Sequence, residues 1–189
     1  MPTVLALSGS LRTGSYNTSL LRIAVAKLEL QGVAVTGFDF RAEPLPIFDA
    51  DLEANQGYPE SVLKLKRAVR DAGAVLIAGP EYNAGPTPLL KNAIDWASRR
   101  HRGERNEWDG KVCALMSASP SAFGGVRAQA VYRNALLHNM AVVIPQVVTV
   151  PNASEAFDAE GRLLNERALK NMDILLARLL EVSSRLADR

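Results

Sequence analysis

Cysteine is almost absent from this chain of 189 residues, Cys113 being the single one. A disulfide framework and paired-thiol redox chemistry are therefore excluded, and the apolar run Lys111-Val112-Cys113-Ala114-Leu115-Met116 predicts a strand around a buried structural thiol. Histidine is nearly as scarce. His101 and His138 are the only two, and neither falls in a zinc-ligand or nucleophile pattern, so His101 reads as part of a basic surface run and His138 as helix-end packing. No metal site and no side-chain catalyst is expected. Charge of one sign is missing as well: 22 basic residues against 20 acidic ones leave a net +2. Apart from Arg99-Arg100-His101-Arg102 the charges are dispersed, which argues against nucleic acid as a partner. No stretch approaches the ~18 uninterrupted apolar residues of a membrane span, and no basic region precedes the first apolar strand. A cytoplasmic protein without membrane contact is expected.

What is present is a hydrophobic fraction of 48% arranged as strands and helices in alternation. Residues 3–8, 33–38, 74–78, 111–117 and a last strand over 142–144, extending as far as 150, read as strands. Helices are predicted near 17–31, with Asn17 or Thr18 as cap, from Pro59 onward, and near 89–98, 126–139 and 163–186. The last of these would bury Leu164, Ala168, Leu175, Leu176 and Leu179. Residues 39–58 read as a long polar loop. Such alternation across 1–189 predicts one α/β domain, a five-stranded parallel sheet covered by helices on both faces. A flavodoxin-like strand order 2-1-3-4-5 satisfies it, and so does a half-sized Rossmann-like arrangement.

The unusual residues fall in three loops, each following a strand. The first, Ser8-Gly9-Ser10-Leu11-Arg12-Thr13-Gly14-Ser15-Tyr16-Asn17-Thr18, enters a helix N-terminus, where free amides, hydroxyls and the Arg12 fork suit a phosphate. It matches neither the dinucleotide glycine fingerprint nor the Walker pattern, so a terminal phosphomonoester fits better. A plain strand-to-helix turn is the competing reading. The second, Gly79-Pro80-Glu81-Tyr82-Asn83-Ala84-Gly85, offers a rigid aromatic face and amide groups to a planar heterocycle; Tyr82 equally suits a subunit contact. The third, Ser117-Ala118-Ser119-Pro120-Ser121-Ala122-Phe123-Gly124-Gly125, offers short hydroxyls and two glycines that permit close backbone approach. In an open parallel sheet the carboxyl ends of the strands meet at a switch point, so the three loops are expected to line one site.

Gly9-Ser10-Leu11-Arg12 with Ser15 and Asn17, then Pro80-Glu81-Tyr82-Asn83, Leu90-Lys91-Asn92-Ala93-Ile94-Asp95-Trp96 and Gly124-Gly125-Val126-Arg127, resemble the NADPH-dependent FMN reductase family over roughly residues 3–145. The resemblance implies a flavodoxin-like α/β/α sandwich, bound FMN, NADPH or NADH as hydride donor, and homodimers that pair into homotetramers. It carries phosphate binding to Ser10, Arg12, Ser15, Asn17 and Thr18. Isoalloxazine contacts pass to Pro80, Glu81, Tyr82 and Asn83, with Ser117, Ser119, Gly124 and Gly125 near the ring. The chain departs from the family pattern at Gly85, at Thr87-Pro88 and at Ser121; Pro88 still suits a first helical turn, where its missing N–H costs little. Lys91 and Asp95 form an i,i+4 pair on a helix whose stripe Leu90, Ala93, Ile94, Ala97 reads as core or subunit packing, with Trp96 packed and Trp108 peripheral. Arg102 and Arg105 are candidates for a 2′-phosphate contact. The implied reaction moves hydride from NAD(P)H through flavin to a small-molecule electron acceptor, the redox work being the cofactor's. Quinone reduction on the same open face and a flavodoxin-like electron-transfer module are the alternatives.

Overall fold

A computed structural model describes residues 2–100 and 103–187; His101 and Arg102, and with them the basic-run reading and the Arg102 contact, lie outside the described residues. In chain order the elements are β1 (Val4–Ser8), α1 (Tyr16–Glu29), β2 (Val35–Gly37), α2 (Ala50–Gln56), α3 (Glu60–Asp71), β3 (Ala74–Ala78), β4 (Glu81–Tyr82), β5 (Gly85–Pro86), α4 (Pro88–Ser98), β6 (Val112–Ala118), α5 (Val126–His138), β7 (Val142–Val150), α6 (Ala153–Ala156) and α7 (Glu166–Ala187). Five of the strands form a parallel sheet in the order β2-β1-β3-β6-β7. With the small antiparallel hairpin β4-β5 set aside, this is the expected flavodoxin-like order 2-1-3-4-5, and the half-Rossmann alternative falls away.

Alternation within the strands builds the two cores. Val4, Ala6, Leu76, Ala78, Ala114 and Met116 face α1 and α7, whereas Leu5, Leu7, Val75, Ile77, Cys113 and Leu115 face α3, α4 and α5. Both faces are apolar because helices cover both, which is why these strands read as continuous hydrophobic runs. Cys113 is buried, as expected. On α7, Ala168, Met172, Leu175, Leu176 and Leu179 form the buried stripe, but Leu164 lies ahead of the helix and is exposed. Among the described residues no helix is long and apolar enough to cross a membrane.

Four further expectations are corrected. Helix α1 is capped by Ser15, whose Oγ accepts from the Thr18 amide at 3.4 Å, because an N-cap must stand outside the helix and Asn17 and Thr18 are inside its first turn. The polar 39–58 segment contains α2, nucleated by the Asp49 carboxylate accepting from the Asp51 amide at 2.8 Å. Trp108 is not peripheral; it is fully buried, and its indole N–H donates to the Ile94 carbonyl at 3.1 Å. Its charged sequence neighbours hid that. Trp96 and Asn92 of α4 hold a distant segment in place. The indole Nε1 and amide Nδ2 both donate to the Pro46 carbonyl, at 2.7 and 2.8 Å, while Asn92 Oδ1 accepts from the Phe48 amide. The segment 46–48 is thereby strapped onto α4. His138 ends α5 but is exposed rather than packed.

Helices α1 and α5 end alike. In α1 the amides of Gly32 and Val33 return to the Glu29 and Leu28 carbonyls; in α5 those of Met140 and Ala141 return to Leu137 and Leu136. Each loop needs a left-handed residue at its bend, and this is Gly32 at φ 77° but Met140 at φ 64°, where a Cβ is unfavourable. Met140→Gly should therefore stabilise the fold by about 1 kcal/mol and raise the melting midpoint by roughly 2–4 °C, measured by thermal unfolding.

Candidate functional site

The sheet reverses its winding at β1: α1 leaves the β1 end on one face, and α4 follows β3 on the other. A crevice opens between such strand ends. There the three loops enclose a cleft of about 360 Å³.

Loop 1 supplies Ser10, Arg12, Ser15, Tyr16 and Asn17. Gly9 brings its backbone close to loop 2, since a Cβ there would stand 2.4 Å from Leu90 Cδ1 and 2.8 Å from Pro80 Cδ. The loop's crest is braced from below, where the Arg41 guanidinium donates to the Leu11 carbonyl. At the helix entrance Ser15 takes the Thr18 amide and its own carbonyl takes that of Ser19, which leaves the Tyr16 and Asn17 amides without intrahelical acceptors. Arg12 lies over the Tyr16 ring at 5.6 Å and donates from Nη1 to the Thr13 carbonyl at 3.3 Å, and among the described residues it has no carboxylate in ion-pair reach. Two free amides, two hydroxyls and a guanidinium at a positive helix end make an anion site.

Asn17 does more than line the cleft. Its side chain is 4% exposed, donates from Nδ2 to the Ala118 carbonyl at 2.8 Å and accepts through Oδ1 from the Ala118 amide at 3.0 Å. Both backbone groups at the end of β6 are thus satisfied by a helix 101 positions away in sequence.

Loop 2 supplies Pro80, Glu81 and Tyr82. Tyr82 stands half-exposed on the β4-β5 hairpin. Asn83 and Ala84 form its two-residue turn at φ 51° and 62°, the left-handed pair that a type I′ hairpin requires. Asn83 is not part of the cleft lining. The Tyr132 hydroxyl fixes the loop's base: it accepts from the Thr87 amide at 2.7 Å and lies 3.1 Å from the Pro80 carbonyl, to which it donates. Thr87 caps α4 through Oγ1, with Pro88 in the first turn, so the departure at Thr87-Pro88 is a capped helix start. Burial pushes the Tyr132 phenol up, which keeps it neutral and able to donate.

Glu81 joins loop 2 to loop 3. Its carboxylate accepts from Arg127 Nε at 2.7 Å and from the Arg127 and Ala128 amides at 3.1 and 3.3 Å, and pairs with Arg127 Nη2. It caps α5 from outside the helix. Burial alone would raise the Glu81 carboxyl, yet the Arg127 side chain and the two amides outweigh burial and hold it below its ordinary value.

Loop 3 lines the cleft with Ala118, Ser119 and Pro120. Ser117 is fully buried beneath it, donating to the Gly124 carbonyl at 2.6 Å and accepting from Gln129 Nε2 at 2.7 Å. Gly125, at φ 86°, must lack a side chain, since a Cβ would stand 2.7 Å from Ser117 Cβ; Gly124 is held in the same way against Pro151. Ser121 bonds Ser119 at 3.1 Å. Thr18 is not in this lining; it bonds the Ser8 hydroxyl at 2.8 Å and lines the adjoining cleft.

Of the residues singled out in sequence, the structure therefore brings Ser10, Arg12, Ser15, Asn17, Pro80, Glu81, Tyr82 and Ser119 to one cleft. Ser117, Gly124 and Gly125 support it from beneath, while Thr18 and Asn83 stand outside. Sequence reasoning missed Tyr16 and Pro120 in the lining, though both lie inside the quoted loops. It also missed Tyr132 and Gln129, which sit mid-helix with no local signal.

Comparison with known proteins agrees with this geometry. Residues 2–155 match the family described as NADPH-dependent FMN reductase. The chain is 39% identical over 166 residues to the NAD(P)H-dependent FMN reductase PA1204 of Pseudomonas aeruginosa, covering 87% of this chain and 86% of that protein. It is 36% identical over 188 residues to an NADPH:quinone oxidoreductase of Arabidopsis thaliana, covering 97% and 92% respectively. Among solved structures it is similar to FerB, an NAD(P)H:acceptor flavoenzyme from Paracoccus denitrificans, with a TM-score of 0.80, 32% identity and 98% coverage of both chains. The chain belongs to the NADPH-dependent FMN reductase family.

Two variants test how the loops are joined. Asn17→Ala should cost about 2 kcal/mol in urea unfolding, because it strands the Ala118 amide and carbonyl. Glu81 carries its stabilising effect above an unfolded-state value of about 4.3 and loses it as pH falls through the lower folded-state value. Glu81→Gln should therefore lower stability at pH 7 by on the order of 1 kcal/mol and flatten the acid limb of a melting-temperature profile.

Proposed function

We propose that this member of the family is an NAD(P)H-dependent flavoenzyme that holds FMN in the cleft of the three loops and passes electrons to a flavin or quinone. The observation that carries the reading is the convergence, in a cleft of about 360 Å³, of an anion-binding helix entrance with a wall built from Pro80, Tyr82 and Pro120. A phosphomonoester needs several convergent donors, and loop 1 has them in the Tyr16 and Asn17 amides, the Ser10 and Ser15 hydroxyls and Arg12. A flat heterocycle needs flat walls and a few polar edges, and loops 2 and 3 have those. The residues present therefore fit FMN.

When bound, FMN supplies a ring that takes hydride from a nicotinamide and returns electrons to an acceptor. The chain's own residues bind and orient. Ser10, Arg12 and Ser15 hold the phosphate end, while Pro80 and Tyr82 set the plane of the ring. Tyr82 lines the cleft while remaining 51% exposed, so that side of the cleft is open to solvent. That open side suits donor and acceptor in turn, and a planar quinone fits it as readily as a second flavin. Glu81, committed to Arg127 and the α5 amides, serves as a brace rather than as a proton carrier.

In this reading residues 1–189 form a single FMN-binding domain working in the cytoplasm as a homodimer or homotetramer. Self-association is supported by the apolar surface along α5 and the β7 edge, where Val126, Val131, Leu137, Val142 and Val147 are exposed.

Anaerobic mixing of the flavin-loaded protein with NADPH should bleach the oxidised-flavin absorption, and a quinone or free flavin should restore it. Flavin that stays yellow with both NADPH and NADH would favour the electron-transfer module instead. Arg12→Ala should weaken FMN retention by roughly 10- to 100-fold, the worth of one charge-assisted contact, with an unchanged melting profile for the apoprotein. Unchanged affinity would remove Arg12 from the site.

A further inference from the structure

A second cleft, of about 480 Å³, adjoins the first and shares Arg12, Ser15 and Tyr16 with it. The two clefts therefore meet at the phosphate end. None of the Pro80–Tyr82 or Ala118–Pro120 wall takes part in the second. Its far side is Arg22, one and a half turns along α1, and the turn 157–161.

Charge pairing separates Arg22 from half of the described arginines. Arg67, Arg70, Arg99, Arg127, Arg162, Arg178 and Arg185 each have a carboxylate partner. Arg22 has none among the described residues, although Asp158 and Glu160 line the same cleft. Arg162 takes both of those carboxylates, at 2.6 and 3.3 Å, and so withdraws them from Arg22. The bare backbone of Gly161, at φ 76°, lets the Arg22 guanidinium lie against the turn, where a Cβ would stand 2.9 Å from Nη2 and 3.3 Å from Ser19 Oγ. Arg12 is likewise without a carboxylate; it caps a column in which Tyr16 stacks on Phe157 at 5.5 Å. Two guanidiniums without counterions thus flank the first turns of α1, one at the phosphate cradle and one beyond it.

A single phosphate uses one such cation. Two linked phosphates use both, and the remainder of the cleft is within the ~300–1,000 Å³ of ordinary small-molecule sites. We infer that the second cleft takes the AMP half of FAD, with Arg12 and the α1 entrance on the first phosphate and Arg22 on the second. The chain then binds FAD as well as FMN, the adenylate lying along Ser19 and the 157–161 turn. The inference rests on the reading that the first cleft holds a flavin with its phosphate at loop 1. The adenylate of a nicotinamide nucleotide is a poorer occupant, because nicotinamide must reach the Tyr82 end, with which the second cleft shares no wall.

The test is titration of flavin-free protein with FMN and with FAD, followed by quenching of flavin fluorescence, for the wild type, Arg22→Ala and Arg22→Glu. FAD should bind within about ten-fold of FMN; Arg22→Ala should weaken FAD by roughly ten-fold and Arg22→Glu by more, with FMN affinity unchanged in both. Arg22 is exposed, so neither variant touches the core. If FMN binds but FAD is weaker by more than about 100-fold, the inference is overturned and the flavin site stands. It is overturned equally if the Arg22 variants move both flavins alike or neither. Should Arg22→Ala raise only the KM for NADPH, the cleft belongs to the nicotinamide nucleotide and the FAD assignment fails. Binding of neither flavin would overturn the flavin reading and this inference together.

Discussion

The side-chain amide of Asn17 closing on both backbone groups of Ala118 is the constraint on which the rest of the site depends. β6 ends there, so its last carbonyl and amide need partners that no strand supplies, and burial makes leaving them unpaired costly. By filling that need from the first turn of α1, Asn17 sets where the helix entrance stands relative to loop 3. The free amides of Tyr16 and Asn17 are consequently aimed by the sheet and not by the loop's own flexibility. The other two joints follow the same logic. Gly9 permits contact of loop 1 with Pro80 and Leu90, and Glu81 binds loop 2 to α5 behind loop 3. Each loop is tied to the other two, and the cleft is shaped before anything enters it.

Ionic partners divide the basic side chains into two groups. At the opposite end of the sheet, Lys66 and Arg70 converge on the buried Glu107, and Lys66 also donates to the Arg99 carbonyl at 2.6 Å. Arg99 in turn holds Glu53 of α2 at 2.8 Å. The buried members, Lys66, Glu107 and Glu53, are satisfied inside the fold, where a buried ion needs a counterion and hydrogen bonds to be tolerated. They pin α2 and the 104–109 segment against α3 and α4. Around loop 1 the balance differs: Arg12 and Arg22 line clefts and have no carboxylate partner among the described residues, and Arg41 commits its fork to a backbone carbonyl. The distinction between paired and unpaired arginines lies in what stands beside them. Composition, with its net +2, conceals it.

The main strands, the long helices and the three loops were legible because each is a local pattern. Continuous apolar runs mark strands covered on both faces, and glycine with hydroxyls after such a run marks a turn into a helix. Residues whose role is set by something distant were not legible. Trp108 sits among charges in sequence but enters the core because Ile94 offers its carbonyl. Thr18 reads as a phosphate hydroxyl; in the fold it bonds the Ser8 hydroxyl at the end of β1 and lines the second cleft, neither of which is a local pattern. Leu164 matched the helical stripe of α7 in spacing but precedes the helix itself. Helix α2 is short and polar, so its only local signal is the Asp49 cap.

By itself the sequence determined the fold class, the family and the three loops that line the cleft, because hydrophobic period and turn residues act over a few neighbouring positions. Only the tertiary structure decided which members of those loops face the cleft and which hold it up. Ser117, Gly124 and Gly125 became foundations, Glu81 a brace and Asn17 a joint between elements 101 residues apart. A hydroxyl, carboxylate or amide is equally suited to a ligand and to a neighbouring backbone group. The choice between them is made by which unpaired donor or acceptor the folded sheet brings within hydrogen-bond distance.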